Sequence, residues 1–141
     1  MSASGSTSGS CLCGQITVTI PQEALNRTEA IAQCRCKNCR QTGGTTASLV
    51  AIVPEQYIKI RGQPQIYNDS NTASGNIIQR AFCGNCGSPI YTQSPTTPGM
   101  KVVKLGLFDQ LPKPGLELFC KDRPQWQKGI DGVKEFQTVP K

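Results

Sequence analysis

The chain has 141 residues, of which 37% are hydrophobic and 6% aromatic, with 14 Gly, 10 Pro and 8 Cys. That is enough chain for one domain with a thin apolar core, which metal crosslinks would have to supplement. Fifteen Lys and Arg against nine Asp and Glu give a formal charge of +6 with no histidine anywhere, but seven thiolates on two divalent ions would reduce it to about +3. The basic residues are scattered rather than gathered into a stripe, which argues against nucleic acid as the partner and leaves a mild bias toward small carboxylates.

No apolar run reaches the ~18 residues of a membrane helix, and the opening MSASGSTSGS has neither the basic nor the apolar region of a signal peptide. These features predict a cytoplasmic protein that makes no use of a membrane. Residues 1–10 read as a disordered tail, since Ser, Gly, Ala and Thr cannot offset the entropy of ordering them. Residues 11–141 are then expected to form a single zinc-binding β domain.

Residues 15–20 alternate, with Ile16, Val18 and Ile20 on one face and Thr17 and Thr19 on the other, the pattern of a half-buried strand ended by Pro21. Residues 23–32 offer a poor helical turn or two. Further strands are expected over 46–53, 57–61, 77–82, 90–92, 100–108 and 117–120, separated by Gly- and Pro-rich turn signals that include residues 68–75. Many short strands with little helix predict an all-β fold, a sandwich or barrel-like pair of sheets. No solenoid-like repeat is visible.

The cysteines fall into Cys11 and Cys13, then Cys34, Cys36 and Cys39, then Cys83 and Cys86, with Cys120 alone. Gaps of one or two residues suit metal knuckles. A tight turn aims two sulfurs at one point, and a following glycine (Gly14, Gly84, Gly87) takes the positive φ that frees backbone N–H groups for the thiolates. Disulfides across such gaps close loops too small to stabilise a fold, and Cys83 and Cys86 lie between strand-like runs rather than at the strand-to-helix junction of a redox CxxC. Zinc takes four ligands in a closed site and three plus an exchangeable fourth in a catalytic one. Pairing Cys11 and Cys13 with Cys83 and Cys86 makes a structural site, which leaves Cys34, Cys36 and Cys39 one ligand short. Either Cys120 completes that centre or a substrate does; the apolar run around Cys120 favours a free buried thiol.

The chain resembles the glutathione-dependent formaldehyde-activating enzyme family, which also includes centromere-protein-V-like proteins. The resemblance is carried by CxCG at 11–14, CxCxxCRxxxG at 34–44, RxFCxxCGSPIY at 80–91, the GLFD turn at 106–109 and RPQW at 123–126. It implies a β-tent fold, a structural zinc on Cys11, Cys13, Cys83 and Cys86, a catalytic zinc on Cys34, Cys36 and Cys39, and a carbon–sulfur lyase that condenses glutathione with formaldehyde to S-(hydroxymethyl)glutathione. Family members commonly have His between the first two cysteines of the middle motif; Arg35 stands there in this chain.

With no imidazole, the thiol must be activated by the metal, because a thiol bound to zinc loses its proton at neutral pH. Three thiolates make that zinc a weak Lewis acid, better suited to holding a nucleophilic thiolate than to activating water. Arg35, Lys37 and Arg40 lie among the ligands and are candidates to pair with the carboxylates of glutathione, or else to damp the thiolate charge. Asn38 reads as a turn residue, Gly43 and Gly44 as a turn or a close approach to the site, Arg80 as an exposed strand residue, and Trp126 and Phe136 as covers for the core. A related enzyme acting on a larger electrophile, and a non-catalytic zinc module binding protein or nucleic acid, are the rival readings. The sequence leaves the oligomeric state open.

Overall fold

The computed structural model describes residues 5–140. It is mostly β, built of short strands with one helix. A three-stranded antiparallel sheet contains β1 (Ser6–Ser10), β2 (Thr17–Pro21) and β5 (Lys59–Arg61) in that order. The second sheet has eight strands, β3 (Ile31–Cys34), β4 (Ser48–Pro54), β6 (Gln65–Asp69), β7 (Ile78–Phe82), β8 (Pro89–Gln93), β9 (Met100–Lys104), β10 (Leu116–Leu118) and β11 (Lys134–Glu135), in the order β11-β10-β3-β4-β9-β8-β7-β6. Its pairings are antiparallel except that β10 runs parallel to both β3 and β11.

The alternation in β2 behaves as expected: Ile16, Val18 and Ile20 are buried while Thr17 and Thr19 stay partly exposed. These side chains join Ile31 of β3, Ala51 and Val53 of β4, Ile90 of β8 and Val103 of β9 in one apolar cluster that ties the two sheets together. Burying each Ile or Val of this cluster is worth about 1.5–3 kcal/mol.

Four departures from the sequence reading have physical causes. Ser6–Ser10, expected in a disordered tail, forms β1 against β2, with Ser6 opposite Pro21 and Ser10 opposite Thr17. Backbone pairing orders what side chains alone could not, and Gly9 allows it, because a Cβ there would lie 2.6 Å from the Leu107 carbonyl oxygen. Residues 1–4 lie outside the described residues. The expected helical turns at 23–32 are two 3₁₀ turns, Gln22–Leu25 and Thr28–Ala30, followed directly by β3. The helix, α1 (Lys37–Gly43), lies instead inside the middle cysteine motif. Finally, β6 forms where no strand was expected and ends in a stretch read as turn.

Gly115 sets the approach of β10 to β3. Its N–H donates to the Ile31 carbonyl at 2.9 Å, and a Cβ there would meet the Thr28 carbonyl oxygen at 2.2 Å. Gly115→Ala is therefore expected to cost about 1–3 kcal/mol, seen as a lower urea midpoint at an unchanged slope.

Candidate metal centres and thiol site

Cys11 and Cys13 sit on the turn from β1 to β2. The turn is closed by Gly14 N–H to Cys11 O and Cys11 N–H to Ile16 O, both 3.0 Å, with Gly14 at φ 81°. Cys83 and Cys86 follow β7, whose register shifts between Ala81 and Phe82, and their turn is closed by Gly87 N–H to Cys83 O at 2.8 Å with Gly87 at φ 79°. Gly84, expected to share this conformation, does not have a positive φ; its Cα packs against the Gln65 side chain. Ser88 links the knuckles, accepting from Leu12 N–H at 3.0 Å and lying 3.2 Å from Cys86 Sγ. Its hydroxyl and its backbone hold the Cys86 thiol down at about 5.

The four sulfurs of Cys11, Cys13, Cys83 and Cys86 lie within 4.8 Å of one another. Cys13 Sγ is 3.6 Å from both Cys11 Sγ and Cys83 Sγ, close to the ~3.8 Å edge of a tetrahedron with Zn–S bonds of ~2.3 Å. Backbone N–H groups already aim at the sulfurs, Ile16 at Cys11 (3.3 Å) and Cys86 at Cys83 (3.5 Å). Donor type, spacing and N–H···S bonds all fit a tetrahedral thiophilic ion.

The sulfurs of Cys34, Cys36 and Cys39 form the second group, also within 4.8 Å of one another. Cys34 ends β3, Cys36 caps α1 by accepting from Cys39 N–H at 3.3 Å, and Cys39 is on the first turn of the helix. Gly44, at φ 64°, stops α1 by donating to Arg40 O at 2.8 Å. The three thiols share protons unequally. Hydrogen bonding to Cys36 and Cys39 pushes Cys34 up. Hydrogen bonds with Cys34 and Cys36 draw Cys39 down to about 2 against its burial, helped by the charges of Lys104 and Arg80. Among the described residues no fourth Cys, Asp or Glu joins this group. Cys120 stands apart, its Sγ 3.4 Å from the Glu117 carbonyl oxygen, and burial raises its thiol.

Arg35 is not available to a substrate. It is buried at 1% exposure; its Nε donates to Glu117 Oε1, its Nη1 to Gln127 Oε1 at 2.5 Å, and its backbone N–H to Leu118 O at 3.0 Å. Glu117, itself fully buried, also binds Arg123 at 3.0 Å. Burial pushes the Glu117 carboxyl up, but hydrogen bonds from Arg35 and Arg123 outweigh it and hold the group below its ordinary value.

Arg80, expected on the surface, is buried and paired with Asp69 at 2.7 Å. Asp69 also accepts from Asn38 Nδ2 at 2.7 Å, so it ties α1 to the β6–β7 hairpin, and Asn38 is more than a turn residue. Trp126 is 76% exposed and does not cover the core. Glu117, Asp69 and Lys104 were not singled out from sequence; each was a charged residue in or beside a strand, with no local mark of its partner.

Two cavities flank the three-cysteine group. The larger, about 810 Å³, is lined by Cys36, Lys37, Arg80, Phe119, Lys121 and Asp122 among others. Phe119 adopts a left-handed backbone at φ 56°, and its N–H donates to Thr138 O at 2.9 Å. The smaller, about 280 Å³, is lined by Thr42, Tyr67, Arg80, Phe82, Tyr91 and Lys104 among others. Arg40 lines neither, and its Nε is buried with no hydrogen-bond partner.

The strands and the two sulfur clusters define a mostly β protein with two thiol groups that could each hold a metal ion, one of them beside a cavity. Residues 6–122 match the model of the glutathione-dependent formaldehyde-activating enzyme family, and the chain belongs to that family. No curated protein matches the chain in sequence. A crystal structure of a Rhodobacter sphaeroides protein, a structural genomics target, is similar in fold, with a TM-score of 0.57 and 22% identity over 72% of this chain and 87% of that one. Arg123, Gln127 and Glu135 lie beyond the family-matched stretch. Among the described residues no helix is long and apolar enough to cross a membrane.

Proposed function

We propose that the protein is a zinc-dependent carbon–sulfur lyase or synthase that joins glutathione to an electrophile such as formaldehyde, or releases it again. The observation that carries this reading is the convergence of Cys34, Cys36 and Cys39 without a fourth protein ligand, beside a cavity that Cys36 lines. Zinc ions would be held by Cys11, Cys13, Cys83 and Cys86 and by Cys34, Cys36 and Cys39, the second ion acidifying a guest thiol at its open position.

The chain's own side chains would place the substrate. Lys37 lines the larger cavity as a cation for a carboxylate of glutathione, and the Lys121–Asp122 ion pair, 3.6 Å apart in the same lining, would open to take the amino-acid end of the tripeptide. Arg35 acts through the fold instead, by anchoring the Cys34–Cys36 turn to Glu117. In the forward direction a sulfur lone pair forms the S–C bond, the carbonyl π pair moves to oxygen, and the thiol proton ends on that oxygen. No oxidant or reductant is needed. A reducing compartment such as the cytoplasm would keep the ligand thiols available.

The test is direct. Zinc-loaded protein should accelerate formation of S-(hydroxymethyl)glutathione from glutathione and formaldehyde, followed by proton NMR, and glutathione should change the visible spectrum of the cobalt-substituted protein. A protein that does neither is not this enzyme. A larger electrophile is favoured by the second cavity beside the same cluster.

A further inference from the structure

The smaller cavity has a lining that formaldehyde would not use. Tyr67 and Phe82 lie on adjacent strands, and Tyr67 stands opposite Arg80, which lines the same cavity. At about 280 Å³ the space lies just below the ~300 Å³ at which cavities for drug-sized ligands begin. It can take one aromatic ring with a short substituent, but not a tripeptide.

Lys104 gives the cavity its charge. The side chain is buried at 6% exposure, and its Nζ donates to Ser48 Oγ at 3.1 Å. That is one neutral acceptor for three N–H donors. Among the described residues no carboxylate lies within ion-pair distance of it, whereas Arg80 in the same lining already has Asp69. The Lys104 charge faces the Cys39 thiol group, and the N–H donors that Ser48 does not use leave it able to take an acidic group of a substrate as well.

The cavity is also next to the chemistry. Ser48 is opposite Cys34 in the β3–β4 register, Thr42 is on the helix that carries Cys39, and Arg80 lines both cavities. We propose that this cavity binds the electrophile as an aryl carboxylate, with the ring against Tyr67 and Phe82 and the carboxylate on the Lys104 ammonium. The substrate class is then an aromatic aldehyde bearing an acidic group, or its glutathione conjugate in reverse. The assignment rests on the thiol-site reading above and specifies its second substrate. The bond changes are those already given, with the aryl aldehyde carbon in place of formaldehyde.

The experiment is equilibrium binding to the zinc-loaded full chain by calorimetry, with benzoate, benzyl alcohol and acetate as probes. Benzoate should bind at least about tenfold more tightly than either, since it alone supplies both ring and charge. Lys104→Met should weaken benzoate about ten- to hundredfold and leave benzyl alcohol within about twofold, as loss of a charge-assisted hydrogen bond predicts. Tyr67→Ala should weaken benzoate and benzyl alcohol alike, and decides the matter alone if Lys104→Met does not fold.

Benzoate binding no tighter than acetate would overturn the proposal. So would unchanged benzoate affinity in a Lys104→Met protein that loses zinc, which would make the lysine a counter-charge to the thiolates. Displacement of benzoate by S-methylglutathione would assign the cavity to the thiol substrate instead. The response of the cobalt form to glutathione is read separately, so either reading can fail alone.

Discussion

Replacing Glu117 by alanine is expected to cost about 3–5 kcal/mol, the usual penalty for stranding a buried charge. Arg35 is 1% exposed and would keep its charge without its carboxylate, while Arg123 would lose one of its two acidic partners. Because Arg35 is flanked by Cys34 and Cys36, the loss should also reach the metal centre, with weaker retention of one ion measured by competition with a chromophoric chelator. Urea unfolding of the zinc-loaded protein checks the stability part. Glu117→Gln separates charge from shape. The folded-state carboxyl titrates below the ordinary 4.5, so its contribution is present above about pH 4.5 and disappears as pH falls through the folded value. The stability gap between wild type and Glu117→Gln should therefore be full at pH 6 to 7 and shrink on acidification. A gap that is constant with pH would show that the ionised carboxylate contributes nothing.

The second large effect is expected at the other cluster. Cys83 is buried, and its sulfur belongs to the group that joins the β1–β2 turn to the β7–β8 turn. Structural zinc contributes about 10–16 kcal/mol in small peptides, as much as or more than the whole 5–15 kcal/mol by which domains are typically stable. Cys83→Ser is therefore expected to abolish cooperative thermal unfolding, and excess chelator should do the same to wild type. A Cys83→Ser protein that melts within a few degrees of wild type would mean that this cluster does not hold the fold together.

The sequence revealed the parts of this protein whose geometry is local. A CxC or CxxC turn carries its own information, since the intervening residues fix how far apart two sulfurs can be, and the two sulfur groups come together as the spacing predicted. The alternation of β2 is local as well. What could not be read were partnerships across distance. Arg35 finds Glu117 82 residues away only because β10 pairs with β3 in parallel, so a residue that looked like a substrate contact became an anchor. Arg80 looked exposed because its strand was read alone; with β6 and β8 on either side, and Asp69 contributed from a stretch read partly as turn, it is buried. The seven-residue α1 is too short for a periodic signal, although Gly44 after it marks the end of a helix. Composition misjudged β1, where pairing with β2 and the missing Cβ of Gly9 outweigh a Ser-rich sequence.

Zinc content per folded chain in Cys36→Ser is the measurement that bears most directly on the working centre. If three cysteines hold an ion whose fourth place belongs to the guest thiol, wild type carries two ions, the variant carries one and keeps its near-ultraviolet circular dichroism, and glutathione no longer perturbs its cobalt spectrum. A variant that still binds two ions and still responds to glutathione would contradict the assignment of Cys36 to that centre, and with it the account of how the protein handles a thiol.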